Sequence, residues 1–329
     1  MNGQASRAKV FALHLAVIAA LFGLAFVLPD YHRGVFSRTM VLAVFAMGYN
    51  LLFGYTGLLS LGHAMFFSAG LYGAGLTVYH LEWNVAAGFA AGIGAGALLS
   101  LGIGLLALRT IGVAFMIVTM MFAQVFFLLT LYFAEWTGGD DGIVISQAAR
   151  WLDLGGVAID LSDAATRYMI ALALFALTLL GTLAIVRAPF GRVLIAIREN
   201  QERMRMLGYD VFANKLAAVV ASGTICAASG AAYALLFGYA GSSFASIHYS
   251  ILPLLWVLLG GAATTLGPLV GTLILFYLID LSSDAINAWA PGLSISYLGI
   301  VGVALVVLVL FFPKGILGTV RERWAPWLP

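Results

Sequence analysis

The sequence predicts an all-α, polytopic transmembrane helical bundle of about ten spans, forming a single membrane domain over residues 1–329. Three observations carry this. Of the 329 residues 63% are hydrophobic and only 9% charged, against roughly 25% charged in a soluble domain. Apolar runs such as Val10 to Leu28, Gly112 to Ala134, Met169 to Val186 and Ile295 to Phe312 meet the roughly 20 residues needed to cross about 30 Å of hydrocarbon. The remaining charges are sorted by sign into two polar stretches.

Taken in order, the passes fall at 10–28, 39–54, 62–80, 85–107, 111–134, 167–186, 214–238, 249–265, 267–282 and 295–312. Arg7 and Lys9 precede the first run, and no A-x-A-like cleavage site follows it. A retained first helix is therefore expected rather than a signal peptide. The stretch from Thr39 to His80 reads as two spans or as one interrupted span, and so does Ile251 to Leu281. Merging each pair gives eight spans and leaves the termini on the same side. In the fourth pass Gly88, Gly92, Gly96, Ser100 and Gly104 recur every four residues, which places small residues on one helix face where another backbone can approach.

Sidedness comes from the polar stretches. Glu135 to Arg167 is acidic, with Glu135, Asp140, Asp141, Asp153, Asp160 and Asp163 against Arg150 and Arg167. Arg187 to Lys215 is basic, with Arg187, Arg192, Arg198, Arg203, Arg205 and Lys215 against Glu199, Glu202 and Asp210. Lys and Arg mark the cytoplasmic side. The loop 187–213 is thus expected inside, the loop 135–167 outside, and both termini inside, with Lys314, Arg321 and Arg323 near the second. Arg33 and Arg38 then fall outside, against the rule. Net charge is +2, which gives no reason to expect a nucleic-acid partner. Cys226 is alone, so no disulfide framework or cysteine metal site is expected.

Four stretches stand out. Residues 49–63, Tyr49 to His63, are too polar and glycine-rich for lipid. Such backbone survives at membrane depth only inside protein or beside a water-filled path. Asn50, Tyr55, Thr56, Ser60 and His63 are the candidate pathway residues. The alternative is a tight turn with Asn50 and Ser60 bonding neighbouring helices, and for His63 a hydrogen-bonded packing role is favoured. No H-E-x-x-H pattern or nearby acid suggests a metal. Residues 191–210 read as one short amphipathic helix, with Val193, Ile197, Met204 and Leu207 near one face and Gly208 as its stop. The residues alone leave it open whether this helix lies on lipid or docks in a partner's groove. The segment from Gly260 to Gly271 reads as a sharp reversal, with Pro268 starting the next helix. Residues 137–142, Thr137 to Gly142, read as an acidic turn on the outer face, either meeting an external partner or simply solvated.

Together these stretches resemble the membrane permeases of branched-chain amino acid ABC importers, closest to the M-type member of the permease pair. The residues that carry it are Asn50 to His63, the Thr137-Gly138-Gly139 turn with Asp141-Gly142, Gly191-Arg192 with Ala196 to Glu199 and Leu207-Gly208, and Gly260-Gly261 to Gly267-Pro268. One departure is Ala263, where the family usually shows Gly before Thr264, loosening one turn. The resemblance implies a second homologous permease subunit, two cytoplasmic ATP-binding subunits and an extracytoplasmic substrate-binding protein, in a bacterial inner membrane. It also makes the 192–208 segment a coupling helix seated on an ATPase, through Arg192, Ile197, Arg198, Glu199, Leu207 and Gly208.

The residues agree with borrowed energy. The chain has no G-x-x-x-x-G-K-[ST] phosphate loop, so no cofactor of its own is expected and ATP is used by the partner subunits. The span centres read as almost free of the ionisable residues that ion-coupled carriers use, with Arg109, Arg167 and Asp280 near predicted ends. The expected mechanism is alternating access, with selection by the external protein. A urea or short-chain amide permease is the alternative substrate reading, and an ion-gradient-driven carrier the alternative mechanism. A membrane enzyme is disfavoured, because His63 has no acid, Cys or second His in its stretch.

Overall fold

The computed structural model describes residues 2–153, 158–289 and 314–323, with 302, 303, 306, 310 and 311. Its helices are α1 (Asn2–Val27), α2 (Asp30–Asn50), α3 (His63–His80), α4 (Val85–Ala107), α5 (Val113–Tyr132), α6 (Ala134–Thr137), α7 (Ala164–Arg187), α8 (Pro189–Glu199), α9 (Gln201–Met206), α10 (Val211–Phe237), α11 (Ile247–Gly260), α12 (Gly267–Trp289) and α13 (Ile316–Arg323). Among the described residues six helices are long and apolar enough to cross a membrane: Ala8–Val27, Asp30–Tyr55, Val85–Ala107, Val113–Tyr132, Ala164–Arg187 and Val211–Phe237. Nine of the ten expected passes coincide with a helix, and the tenth, 295–312, lies outside the described residues but for single positions.

α2 is the axle of the bundle. Every residue from Thr39 to Asn50 is buried, because this part of the helix carries no charge and leaves no face for solvent. It starts at Asp30, directly after Pro29, and the Asp30–Arg33 ion pair of 3.1 Å forms within its first turn. Arg33 and Arg38 therefore belong to the helix, which begins nine residues before the pass expected from Thr39.

α3, α4 and α10 pack through small residues. The stripe of Gly88, Gly92, Gly96, Ser100 and Gly104 is buried throughout. A Cβ at Gly96 would lie 2.0 Å from the Ala227 Cβ, and one at Gly230 would lie 1.8 Å from the Phe67 carbonyl oxygen. Backbones this close gain dispersion along their whole length, the means of association left when lipid is as apolar as the helix.

The two interrupted stretches are hairpins of separate helices. Gly48 of α2 and His63 of α3 both meet the part of α10 around Ser222, while Val41 meets Ser229 and Phe67 meets Gly230 further along. α2 thus runs against α10 and α3 runs with it. Gly260 faces Gly267 and Gly271 faces Trp256, so α11 and α12 are antiparallel as well.

Two small antiparallel pairs occupy the acidic end. β1 (Ile143–Val144) pairs with β4 (Tyr239–Ala240), and β2 (Trp151–Asp153) pairs with β3 (Ala158–Asp160).

Candidate functional site

At the basic end α2 does not stop cleanly. Leu51–Tyr55 continue as a π-helical turn, a conformation that recurs at functional sites. Gly57 follows at φ 74°, and 57–62 are irregular before α3. The turn frees backbone groups that other elements satisfy. Thr56 Oγ1 donates to the Leu51 carbonyl at 3.0 Å. Asn50 bridges to the α11–α12 turn: its Nδ2 donates to the Thr264 carbonyl at 2.9 Å and its Oδ1 accepts from the Ala263 amide at 3.0 Å.

His63 sits in a closed chain of hydrogen bonds. Ser222 Oγ donates to the Gly48 carbonyl at 2.6 Å, so it accepts from His63 Nε2–H at 3.0 Å. Nδ1 then accepts from Ser60 Oγ at 3.1 Å, and Ser60 accepts from the Gly62 amide. Each donor has its acceptor, which assigns the neutral Nε2–H tautomer. His63 and Ser60 are buried, and this geometry holds α2, α3 and α10 in register. Tyr55 is buried with its hydroxyl unpartnered. Of the five candidate pathway residues, Thr56 lines a large cavity, while Asn50 and Tyr55 line a void of only about 10 Å³.

The amphipathic stretch is two helices, which corrects the single helix expected. Asn200 is extended (φ −158°, ψ 99°) and caps α9, its side chain accepting from the Arg203 amide at 2.9 Å. Asn is a strong N-cap because its side-chain oxygen takes an orphan amide. Leu194, Ile197 and Met204 are buried against the protein. Leu207, expected on that face, is 65% exposed, because the break at Asn200 turns α9 out of phase with α8. Gly208, at φ 86°, terminates α9.

Arg198 joins this hairpin to the break in α2. Its guanidinium donates to the Gly54 carbonyl, and its stem packs where a Cβ on Gly57 would be. Arg198 also forms the wall between two clefts. One, of about 570 Å³, includes Thr56, Leu59, Thr110, Glu199 and Lys215 in its lining. The other, of about 590 Å³, includes Ala262, Ala263, Lys314 and Arg321. Arg321 of α13 donates to the Ala263 carbonyl at 3.1 Å. Sequence reasoning missed Arg321 and Ser222: the first counted only as a terminal charge, and the second as one small residue among many in α10.

At the acidic end Gly138, Gly139 and Gly142 all have positive φ, and Asp140 accepts from Ser242 at 3.2 Å. Arg150 is buried and donates to the Leu236 carbonyl at 3.3 Å, covering the C-terminal end of α10. Burial, then the nearby Arg167, hold its guanidinium below the ordinary value, against the pull of Asp160. Asp163 caps α7, and the Thr166 amide at 2.9 Å holds its carboxyl below the usual range.

Comparison with known proteins places this architecture. The chain is 27% identical to the high-affinity branched-chain amino acid transport system permease protein LivM of Salmonella typhimurium, over 98% of this chain and 78% of that relative. It is 26% identical to LivM of Escherichia coli K12 over the same shares, and 28% identical to a probable branched-chain amino acid transport permease protein LivM of Methanocaldococcus jannaschii over 40% of this chain and 41% of the relative. No solved structure matches. Residues 32–310, from the first turn of α2 onward, match the family model described as branched-chain amino acid transport system / permease component. A bundle of apolar helices with this match across most of its length is a multi-pass membrane permease subunit, and the chain belongs to the branched-chain amino acid transport system permease family.

Proposed function

We propose that the chain is one of two homologous membrane subunits of an ATP-driven importer of branched-chain amino acids in a bacterial inner membrane. Its basic end faces the cytoplasm with both termini, and its acidic end faces an extracytoplasmic binding protein that does most of the selecting. Two cytoplasmic ATPases sit against the α8–α9 hairpin, and their closure drives alternating access. The whole of 1–329 acts as one permease domain, and the ATP is bound by the partners.

The observation that carries this reading is the α8–α9 hairpin. Its inward side is taken by protein through Leu194, Ile197 and Met204, so it does not need lipid to cover it. Its outward side still shows Ile195, Met206, Leu207 and Tyr209, between 38% and 82% exposed, amid Arg192, Glu199 and Arg203. Large apolar side chains left exposed on one short hairpin among charges suit a protein contact. Arg198 then gives the contact a route inward, to the Gly54 carbonyl.

The test is reconstitution with all partners. Arg198→Ala and Glu199→Ala leave the complex assembled and lower binding-protein-stimulated ATPase activity and leucine uptake together by about tenfold, the loss expected for one charged contact of roughly 1.5 kcal/mol. Unchanged uptake in both variants removes the docking role. Uptake by the chain alone without ATPases replaces the importer reading with a gradient-driven one.

A further inference from the structure

Just before the fully buried part of α2 the helix presents an exposed arginine. Arg38 lies about 12 Å along the axis from Asp30, at 1.5 Å per residue. A charge that far into a spanning helix is costly and marks function by default. Among the described side chains no carboxylate pairs with it. Its guanidinium carbon lies 5.2 Å from the ring centroid of Phe237 at the end of α10, and that of Arg167 lies 5.8 Å from the same ring.

The rings form a continuous apolar wall. Tyr233 meets Phe237 at 4.7 Å and Phe244 at 5.0 Å, and Phe244 meets Tyr249 at 5.0 Å. Two guanidiniums on one ring repel each other. Arg150 donates to the Leu236 carbonyl at the same end of α10, so three guanidiniums gather there against a helix-terminal charge of only about half a unit. Arg167 Nε is moreover buried with no acceptor. Arg167 Nη2 donates to the Ser162 carbonyl at 3.3 Å, but no described carboxylate pairs with either guanidinium, and aromatic surface lies beside both.

We propose that Arg38, assisted by Arg167 and walled by Phe237, Tyr233 and Tyr249, forms an entry site that takes the α-carboxylate of a branched-chain amino acid on the guanidinium and its aliphatic chain on the rings. This rests on the importer reading and adds to it a substrate site in the membrane subunit itself. A carboxylate on Arg gains two parallel hydrogen bonds, and the aliphatic chain gains burial against rings. A phospholipid headgroup shares the charge, but Arg38 sits about two turns into the helix among aromatic side chains.

The test uses the complete membrane complex in nanodiscs without binding protein, with leucine, leucinamide and inorganic phosphate as millimolar probes in saturation-transfer NMR. Leucine gives transfer that leucinamide does not. Arg38→Gln weakens leucine about tenfold, the loss of one charge-assisted contact. Arg38→Lys, which keeps the charge without the fork, loses less and carries the test if Arg38→Gln fails to assemble on gel filtration. ATP-driven leucine uptake falls in Arg38→Gln in vesicles of phosphatidylcholine alone and in vesicles that include phosphatidylglycerol. Equal transfer from leucine and leucinamide, unchanged leucine transfer in the assembled variants, phosphate competing as well as leucine, or a loss confined to phosphatidylglycerol vesicles each overturns the proposal, the last assigning Arg38 to lipid. A wild-type complex that binds leucine through Arg38 but does not import it refutes the importer reading and keeps the site. One that imports leucine with Arg38→Gln indistinguishable from it does the reverse.

Discussion

Ala263 holds φ 56°, a left-handed conformation that costs a residue with a Cβ roughly 1–2 kcal/mol. The cost is borne because both its peptide groups are engaged: the amide donates to Asn50, and the carbonyl accepts from Arg321. Glycine would adopt the same turn without strain, at an entropic cost in the unfolded chain of roughly 0.5–1 kcal/mol. Ala263→Gly is therefore expected to stabilise the protein by up to about 1 kcal/mol, read as a higher thermal midpoint in detergent. A midpoint lowered by the substitution would show that the turn is not strained. The departure at this position was visible in the sequence through the resemblance. Its geometry was not, since which partner holds the turn depends on Asn50, more than two hundred residues away.

At the scale of elements, α4 was the most legible. Its bounds, 85–107, and its packing face both follow from length, apolarity and the four-residue glycine period, all local properties. The α8–α9 break was not legible, because Asn200 is as good in a solvated helix surface as in a cap. Only the placement of Ile197 and Met204 on one core fixes the kink between them. The helix face of α4 gives an internal control. A Cβ at Gly96 meets Ala227 at 2.0 Å, whereas one at Gly94 meets nothing within 4 Å. Gly96→Ala is expected to cost about 2 kcal/mol through overpacking against α10. Gly94→Ala, in the same helix, is expected to be neutral or slightly stabilising. Thermal unfolding of the two purified variants decides it, and equal midpoints would mean that the stripe is not a packing surface.

On the scale of the whole molecule, both broken helices, the α8–α9 hairpin and α13 converge on one end, where Asn50, Arg198 and Arg321 tie them together. The sign of charge at each end was plain in the sequence, but that the break in α2 and the α11–α12 turn meet at one end needed the fold. On the importer reading proposed above, with Lys and Arg marking the cytoplasm, this end is where an ATPase would reach, and a push on α8 would bear on the Gly54 carbonyl and, through Asn50, on the α11–α12 turn. Single cysteines test the orientation cleanly, because the native Cys226 is buried and silent. Glu199 and Asp141 are exposed at opposite ends. Glu199→Cys is expected to react with a membrane-impermeant thiol reagent only in inside-out vesicles, and Asp141→Cys only in right-side-out ones. The opposite pattern would put the hairpin outside, beyond any ATPase, and the Arg198 contact would then have no source of force.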